Sequence, residues 1–187
     1  MQMMSRRLVL AAAGTLATAA VARKPRAEDP GKAELGNMSA LKPTNPPKPL
    51  PEITFADADG VEHHLEEFRG HGMVVNLWAT WCVPCVAEMP ALAALEKTLA
   101  PDDIAVLPLS SDRGGAAAVR KFYEAHEIGS LPVLLDPKGA AARAWGVRGI
   151  PTTIIVDKQG RERARLEGAA DWATPAAAAK VKALIDT

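Results

Sequence analysis

Residues 73–90 read Met-Val-Val-Asn-Leu-Trp-Ala-Thr-Trp-Cys-Val-Pro-Cys-Val-Ala-Glu-Met-Pro. Residues 73–78 are largely apolar, include β-branched side chains and have the length of a strand, whereas residues 86–99 show apolar residues at helical spacing. The two cysteines of the chain, Cys82 and Cys85, lie between these segments. The pattern predicts a strand that leads directly into a helix, with both thiols where the helix begins.

This position favours thiol-disulfide exchange. Two thiols separated by two residues can interconvert between dithiol and disulfide with little backbone movement. The unpaired N–H groups and the dipole of a helix N-terminus stabilise a thiolate, so Cys82 is predicted to be the attacking sulfur. Cys85 lies one helical turn deeper and is predicted to attack Cys82 of the mixed disulfide and release the partner.

Two other uses of the cysteine pair are weaker. A zinc site needs four ligands, and the histidines have no His-x(3–5)-His spacing that would complete one. A structural disulfide that closes so short a loop removes little entropy from the unfolded chain. We therefore expect no metal and no cofactor. The histidines, which we expect to be structural or exposed, are His63, His64, His71 and His126.

Glu88 is an acidic residue on the apolar face of the predicted helix. At 100° per residue its direction differs from that of Cys85 by about 60°. A partly buried carboxylate with a raised pKa could accept the Cys85 proton during resolution. The alternative is an amphipathic edge, because Glu96 interrupts the same face further along.

The N-terminus has the pattern of an export signal. Arg6 and Arg7 precede the uncharged residues 8–22, which end in the small-x-small sequence Ala-Val-Ala. Residues 5–10 are similar to the twin-arginine motif, so either that route or general secretion is open. An uncleaved anchor is the competing interpretation, but 15 helical residues span only about 22 Å, less than a hydrocarbon core of about 30 Å.

The composition divides the rest of the chain. Seven of the 15 prolines fall in residues 23–51, which we expect to be an extended tether or a disordered spacer. Residues 52–187, the predicted globular domain, contain 14 basic and 19 acidic residues and therefore carry a net charge of about −5. This balance and the lack of a basic stripe argue against a nucleic-acid surface.

The domain is predicted to alternate strands and helices. Asp59 and Gly60 are a hairpin signal between short strands. The predicted strands are 53–55, 61–65, 73–78, 104–109, 133–135, 152–156 and 163–167, and the predicted helices are 83–99, 115–127, 140–145 and 174–185. This order gives an α/β fold in which a mixed central sheet has helices on both faces.

The order of elements is typical of a thioredoxin-like fold. Residues 76–90 and the sequence Gly-Ile-Pro-Thr at 149–152 resemble the exported TlpA/ResA-type thiol-disulfide reductases. The resemblance runs from about residue 52 to 185 and includes an added helix and strand in mid-chain, near residues 113–135. Glu88 matches the active-site glutamate of that family. Ordinary thioredoxins carry a buried acid at the position of Asn76, and an amide cannot transfer a proton.

The resemblance also implies a surface for the client protein. Pro151 matches the cis proline that faces the cysteines in thioredoxin folds. The backbone of Ile150 could then pair with an extended partner strand beside Cys82. Trp81 is a candidate for partner contact, and the variable residues within the motif, Val83 and Pro84, complete the predicted binding set.

The sequence thus predicts an exported, periplasmic and monomeric oxidoreductase that reduces disulfides in client proteins. The resemblance implies clients in cytochrome maturation, either an apocytochrome Cys-x-x-Cys-His or a copper-site protein, and a membrane thiol-disulfide reductase as electron donor. An oxidase or isomerase would use the same cysteines. A peroxidase lacks its peroxide-binding cysteine here, and a metal-binding module would favour Cys-x-x-x-Cys with a distant histidine.

Overall fold

The computed structural model describes residues 35–36 and 38–187. The strands are β1 (Lys42–Pro49), β2 (Thr54–Ala56), β3 (Glu62–His64), β4 (Gly72–Trp78), β5 (Ile104–Ser110), β6 (Leu134–Leu135), β7 (Thr152–Val156) and β8 (Arg161–Glu167). The α-helices are α1 (Val83–Leu99), α2 (Gly115–Ala125), α3 (Ala140–Ala144) and α4 (Pro175–Ile185), and 3₁₀ helices span Met38–Ala40, Leu65–Phe68 and Ala100–Asp102. None of the described helices is long and apolar enough to cross a membrane.

The described strands form a mixed sheet in the order β1-β8-β7-β4-β5-β6-β2-β3. β4 runs parallel to β5 and antiparallel to β7, and every one of its residues is buried. A strand covered on both faces needs an almost continuous apolar run, which is what the sequence of β4 supplies. The structure confirms the predicted thioredoxin-like architecture.

Two apolar clusters pack on opposite faces of this sheet. Val74 and Trp78 of β4 belong to a cluster with α1, α2 and α4, whereas Met73, Val75 and Leu77 belong to one with α3 and the β2–β3 region. Successive side chains of a strand point to opposite faces, so the alternation along β4 divides the core in two. Helices therefore cover both faces, as predicted.

The predicted elements are present, with ends that differ by at most two residues. The bounds of α1 and β7 are as predicted, whereas α2 ends at Ala125 rather than Glu127. Glu127 has a φ of 54°, in the left-handed region that commonly follows a helix C-terminus. The helical backbone therefore ends before Glu127, although the sequence pattern predicted a helix up to that residue.

The proline-rich stretch differs from the prediction. Residues 42–49 form β1, which pairs antiparallel with β8, with a register shift between Pro43 and Lys48. β1 is an edge strand, the place in a sheet where prolines are tolerated because some N–H groups need no partner. The predicted boundary at residue 52 is therefore too late. The predicted signal at residues 1–22 and the linker up to residue 34 lie outside the described residues.

The segment before β1 also contacts the domain. Gly36 forms an isolated parallel bridge with Ala170. Its N–H donates to the Ala169 carbonyl at 3.1 Å, and the Asp171 N–H donates to the Gly36 carbonyl at 3.0 Å. This joins the beginning of the described chain to the loop that precedes α4.

The topology brings two distant parts of the chain to one edge of the sheet. β4 ends at Trp78, just before the cysteines, and β7 begins at Thr152, just after Pro151. Leu77 pairs with Thr152 across the antiparallel ladder. The start of β7 therefore lies beside the end of β4, where α1 begins.

Candidate active site

Cys82 and Cys85 lie at the start of α1 and are joined by a disulfide, with their Cα atoms 5.2 Å apart. Cys82 is the N-cap of α1, and its Sγ accepts a hydrogen bond from the Cys85 N–H at 3.3 Å. Cys82 is 6% exposed, whereas Cys85 is fully buried. Cys82 is therefore the more accessible sulfur; the order of attack and resolution stays a prediction.

An apolar rim surrounds the accessible sulfur. Trp81 and Val83 are each 67% exposed, although both are large apolar side chains, and Pro84 is exposed beside them. Exposed apolar side chains that cluster at one place are typical of a binding surface. These predicted client-contact residues lie together around Cys82; their role remains a prediction.

Asp112 holds the loop that leads to the cysteines. Its carboxylate accepts from the Thr80 N–H at 2.8 Å, the Thr80 hydroxyl at 2.6 Å and the Ser110 hydroxyl at 2.8 Å. Asp112 is 4% exposed. The link fixes the turn between β4 and α1 against the end of β5, a contact that the sequence analysis did not identify.

The Ile150–Pro151 segment faces the disulfide, as the resemblance predicts. The peptide bond between the two residues is cis, and the Ile150 carbonyl oxygen lies 3.7 Å from Cys82 Sγ. In the disulfide this sulfur has no proton to donate, so the approach is a contact rather than a hydrogen bond. The main chain of residue 150 is therefore beside the sulfur that a client would approach.

Glu88 is fully buried beneath this surface and is held by three donors. Its Oε1 accepts from Asn76 Nδ2 at 2.9 Å, and its Oε2 accepts from the Ala170 N–H at 3.0 Å and from Trp172 Nε1 at 3.1 Å. The three donors come from β4 and from the loop before α4. Together they fix the carboxyl group in one position.

Burial raises the pKa of the Glu88 carboxyl from its ordinary value of 4.5 to about 7. This effect outweighs the hydrogen bonds from Ala170, Asn76 and Trp172, which lower the pKa. Glu88 follows Cys85 by three residues on α1, so the two side chains share a face of the helix. A carboxyl with a pKa near 7 can both accept and release a proton at neutral pH.

The sequence analysis identified Glu88 but not the groups that hold it. Asn76 was considered only as a residue that cannot transfer a proton. The other two donors, the Ala170 N–H and Trp172 Nε1, lie more than 80 positions after Glu88. The first is a backbone N–H, which leaves no signature in a sequence. Nothing in the sequence around Trp172 indicates which group its indole N–H contacts.

The hydrogen bonds of the histidines do not involve the cysteines. His63 bonds Glu67 and Asp57 near the β2–β3 hairpin, and His126 bonds the Phe122 carbonyl at the end of α2. Within residues 35–36 and 38–187, no cluster of three or more His, Cys, Asp or Glu side chains is placed to hold a metal ion.

The chain is similar to known thiol-disulfide oxidoreductases. Thiol-disulfide oxidoreductase ResA of Geobacillus thermodenitrificans is 31% identical over 118 residues, which are 63% of this chain and 67% of that protein. Thioredoxin-like protein YneN of Bacillus subtilis is 35% identical over 112 residues, which are 59% of this chain and 64% of that protein.

A solved structure agrees. The exposed lipoprotein thioredoxin of Streptococcus pneumoniae is 26% identical, with a TM-score of 0.58, over 73% of this chain and 99% of that one. The Redoxin family matches residues 46–182, a range that includes the end of β1, both cysteines and most of α4. With its Cys82–Cys85 pair at the start of α1, the chain belongs to the Redoxin family and is a thiol-disulfide oxidoreductase.

Proposed function

We propose that this oxidoreductase reduces disulfides of client proteins outside the cytoplasm. The observation that carries the proposal is the pairing of an accessible Cys82 with a buried Cys85 whose helix also carries the buried Glu88. This asymmetry supports a role for Cys82 in attack on the client and for Cys85 in release of the client. Glu88 supplies a proton acceptor for the second step.

The reaction starts from the dithiol form. The Cys82 thiolate attacks one sulfur of the client disulfide, so that a mixed disulfide forms and the other client sulfur leaves as a thiolate. Glu88 takes the proton of Cys85, and the Cys85 thiolate attacks Cys82 Sγ. The mixed disulfide breaks, the Cys82–Cys85 disulfide forms, and two electrons pass to the client.

The surroundings of Cys82 support a reductant rather than an oxidant. A strong oxidant stabilises its reduced form through the thiolate of the attacking cysteine. In the described part of the chain, the donor to Cys82 Sγ is the Cys85 N–H, and no Lys, Arg or His side chain bonds this sulfur. The dithiol is therefore not stabilised by a cation bonded directly to this sulfur.

The proposal also includes where the protein acts and which client proteins it reduces. The sequence of residues 1–22 supports export to the periplasm. In an oxidising compartment, Cys82 and Cys85 need a membrane thiol-disulfide reductase to return them to the dithiol. The family resemblance supports clients in cytochrome maturation, either an apocytochrome Cys-x-x-Cys-His or a copper-site protein.

The midpoint potential of the Cys82/Cys85 couple tests the direction of electron flow. We expect a value near or below about −230 mV in a glutathione or dithiothreitol buffer. A value above about −150 mV would identify an oxidase or isomerase instead. Rates of reduction of two synthetic disulfide peptides, one with Cys-x-x-Cys-His and one with a copper-site cysteine pair, would then distinguish the two client classes.

Export is tested separately. A reporter enzyme that is active only outside the cytoplasm, fused to the C-terminus of the full chain, should be active in cells. Replacing both Arg6 and Arg7 by Gln should reduce that activity if the charged N-terminus directs export. An inactive reporter whose fusion protein accumulates in the cytoplasm would contradict the proposed location and leave the chemistry of the cysteines unaffected.

A further inference from the structure

A groove beside the disulfide presents two cations. It has a volume of about 620 Å³, and its walls include Trp81, Arg113 and Lys138. All three side chains are exposed. Because Trp81 directly precedes Cys82, the groove begins next to the accessible sulfur.

Asp112 also lines the groove, and Asp136 precedes its wall residue Pro137, but both carboxylates are buried, whereas the two cations are exposed. Asp112 is 4% exposed, and its two oxygens accept hydrogen bonds from Thr80 and Ser110. Asp136 is 5% exposed, and its carboxylate accepts from two N–H groups at the start of α3. Both carboxylates therefore point into the protein and cap its turns, while the two cations face the solvent.

The exposed cations of the groove contrast with the net charge of its domain. Residues 52–187 carry a net charge of about −5, yet Arg113 and Lys138 take part in no ion pair with the described residues. A local surface charge opposite in sign to the rest of the domain attracts and orients a ligand of complementary charge. That ligand is anionic here.

We propose that the groove binds an acidic segment of the client, adjacent to the client's disulfide. Carboxylates of this segment lie against Arg113 and Lys138, and its chain packs on Trp81. The proposal rests on the proposed function, because it specifies which disulfide-containing proteins are preferred. It predicts clients that carry aspartate or glutamate a few residues from the cysteine that Cys82 attacks.

Two disulfide peptides test this selectivity. They are identical except that glutamates near the reactive cysteine in one are glutamines in the other. The rate constant for their reduction is measured with the wild-type dithiol, with an Arg113→Gln/Lys138→Gln variant and with a Lys97→Gln/Lys158→Gln control. The control loses the same charge from the last turn of α1 and from the turn between β7 and β8.

We expect the wild type and the control to reduce the glutamate peptide about fivefold faster than the glutamine peptide. A difference of this size is typical of two exposed ion pairs. The Arg113→Gln/Lys138→Gln variant should lose the preference, and about 0.5 M salt should weaken it in the wild type. Equal rates in the wild type, or a preference that survives in the variant, would overturn the proposal. Failure to reduce either peptide or a small aromatic disulfide would overturn the proposed function itself.

An independent observation concerns Asn76, which has an unused acceptor beside Glu88. Its Nδ2 donates to Glu88 Oε1 and to Thr153 Oγ1, each at 2.9 Å. Its Oδ1 is buried and has no hydrogen-bond partner among the described residues. A buried carbonyl oxygen without a partner is unfavourable, and it calls for a physical reason.

The protonation state of Glu88 explains which end of the amide faces it, and the opposite end, Oδ1 or Nδ2, is then the one without a partner. A carboxylate only accepts hydrogen bonds, so it requires the Nδ2 side of the amide, whereas a protonated carboxyl has an O–H to donate. Rotation of the Asn76 amide by 180° exchanges Nδ2 and Oδ1. The oxygen can then accept from Glu88 and from the Thr153 hydroxyl, which can turn to donate.

We infer that Asn76 is a positioning residue whose amide reverses each time Glu88 gains or loses a proton. The carboxyl group is then hydrogen-bonded both before and after it receives the Cys85 proton, so the inference rests on the proposed role of Glu88. The groups that contact Glu88 from β4 and from the loop before α4 are an amide, a backbone N–H and an indole, none of which is charged. Cys85, three residues earlier on the same helix, is held in the disulfide and does not titrate in the oxidised protein.

Nuclear magnetic resonance of the oxidised full-length protein tests the reversal. Contacts of the Asn76 amide protons with Thr153 should be strong at pH 9 and weak at pH 5. Glu88→Gln places an NH₂ donor where the protonated acid has its O–H, so this variant should keep the pH 5 orientation at every pH. Glu96→Gln, on the same helix, should behave as the wild type does.

An Asn76 amide with one orientation at all pH values, while the Glu88 carboxyl signal titrates, would overturn this inference. So would a Glu88→Gln variant that keeps the pH 9 orientation. Either result would leave the disulfide-reducing activity intact, and the peptide assay above would show that separately.

Discussion

Replacing Glu88 by Gln should remove a pH dependence of folding stability that the burial of this carboxyl creates. The carboxyl is fully buried, and its pKa rises from 4.5 to about 7 in the folded protein. One unit of pKa difference corresponds to about 1.4 kcal/mol, so this rise corresponds to about 3 kcal/mol.

The sign follows from which state holds the proton more tightly. Below about pH 4.5 the carboxyl is protonated in both the folded and the unfolded chain, and its contribution to stability is fully present. Between about pH 4.5 and 7 the unfolded chain releases the proton while the folded protein keeps it, so the free energy of unfolding falls. Above pH 7 about 3 kcal/mol has been lost. Gln has no such proton, and the Glu88→Gln variant should not show this decline.

Denaturant unfolding of the oxidised proteins between pH 4.5 and 8.5 measures the effect, because the disulfide keeps the cysteines from titrating. His63 has a pKa raised by its bonds to Glu67 and Asp57, and it contributes a decline of the same sign in every variant. The difference between the wild type and Glu88→Gln therefore isolates Glu88. Glu96→Gln is the matched control on the same helix. Parallel curves for the wild type and Glu88→Gln would refute the reasoning.

Cys85→Ser should trap a client on Cys82 as a stable mixed disulfide, visible as a higher-mass species without reductant, and Cys82→Ser should trap none. In rapid-quench experiments, the rate of mixed-disulfide resolution by the wild type should rise with pH around a midpoint near 7. Glu88→Gln should lose that midpoint, and an unchanged profile would exclude Glu88 as the proton acceptor. Trp172→Phe removes one donor to the carboxylate, so the Glu88 pKa should rise above 7. Carbon NMR of the carboxyl measures this shift, and a lower value would contradict the geometry.

Much of the fold was predictable because its signals are local. β4 is a continuous buried run, α1 has helical periodicity, and β7 follows Pro151 with a short β-branched segment. Each of these patterns lies within a few residues of the sequence. β1 was missed because its prolines resemble those of a linker, and only pairing with β8, more than a hundred positions later, makes it a strand.

The residues of the site also differ in whether their signals are local in the sequence or depend on distant parts of the chain. The cysteines and Glu88 could be identified because all three lie within seven consecutive residues at the start of one helix. The donors that hold Glu88 could not be identified, because the Ala170 N–H belongs to any residue and the partnership of Asn76 depends on how β4 packs against α1. Burial decides the acidity of Glu88, and burial is a property of the assembled protein.

The bridge between Gly36 and the loop before α4 gives the start of the described chain an influence on the active site. A Cβ atom at position 36 would lie 2.9 Å from the Ala169 carbonyl oxygen, so a larger residue must displace that loop. The displaced loop is the one that supplies the Ala170 and Trp172 donors to Glu88. Natural variation at a glycine remote from the cysteines could thus tune how fast clients are released, while every reacting group stays the same.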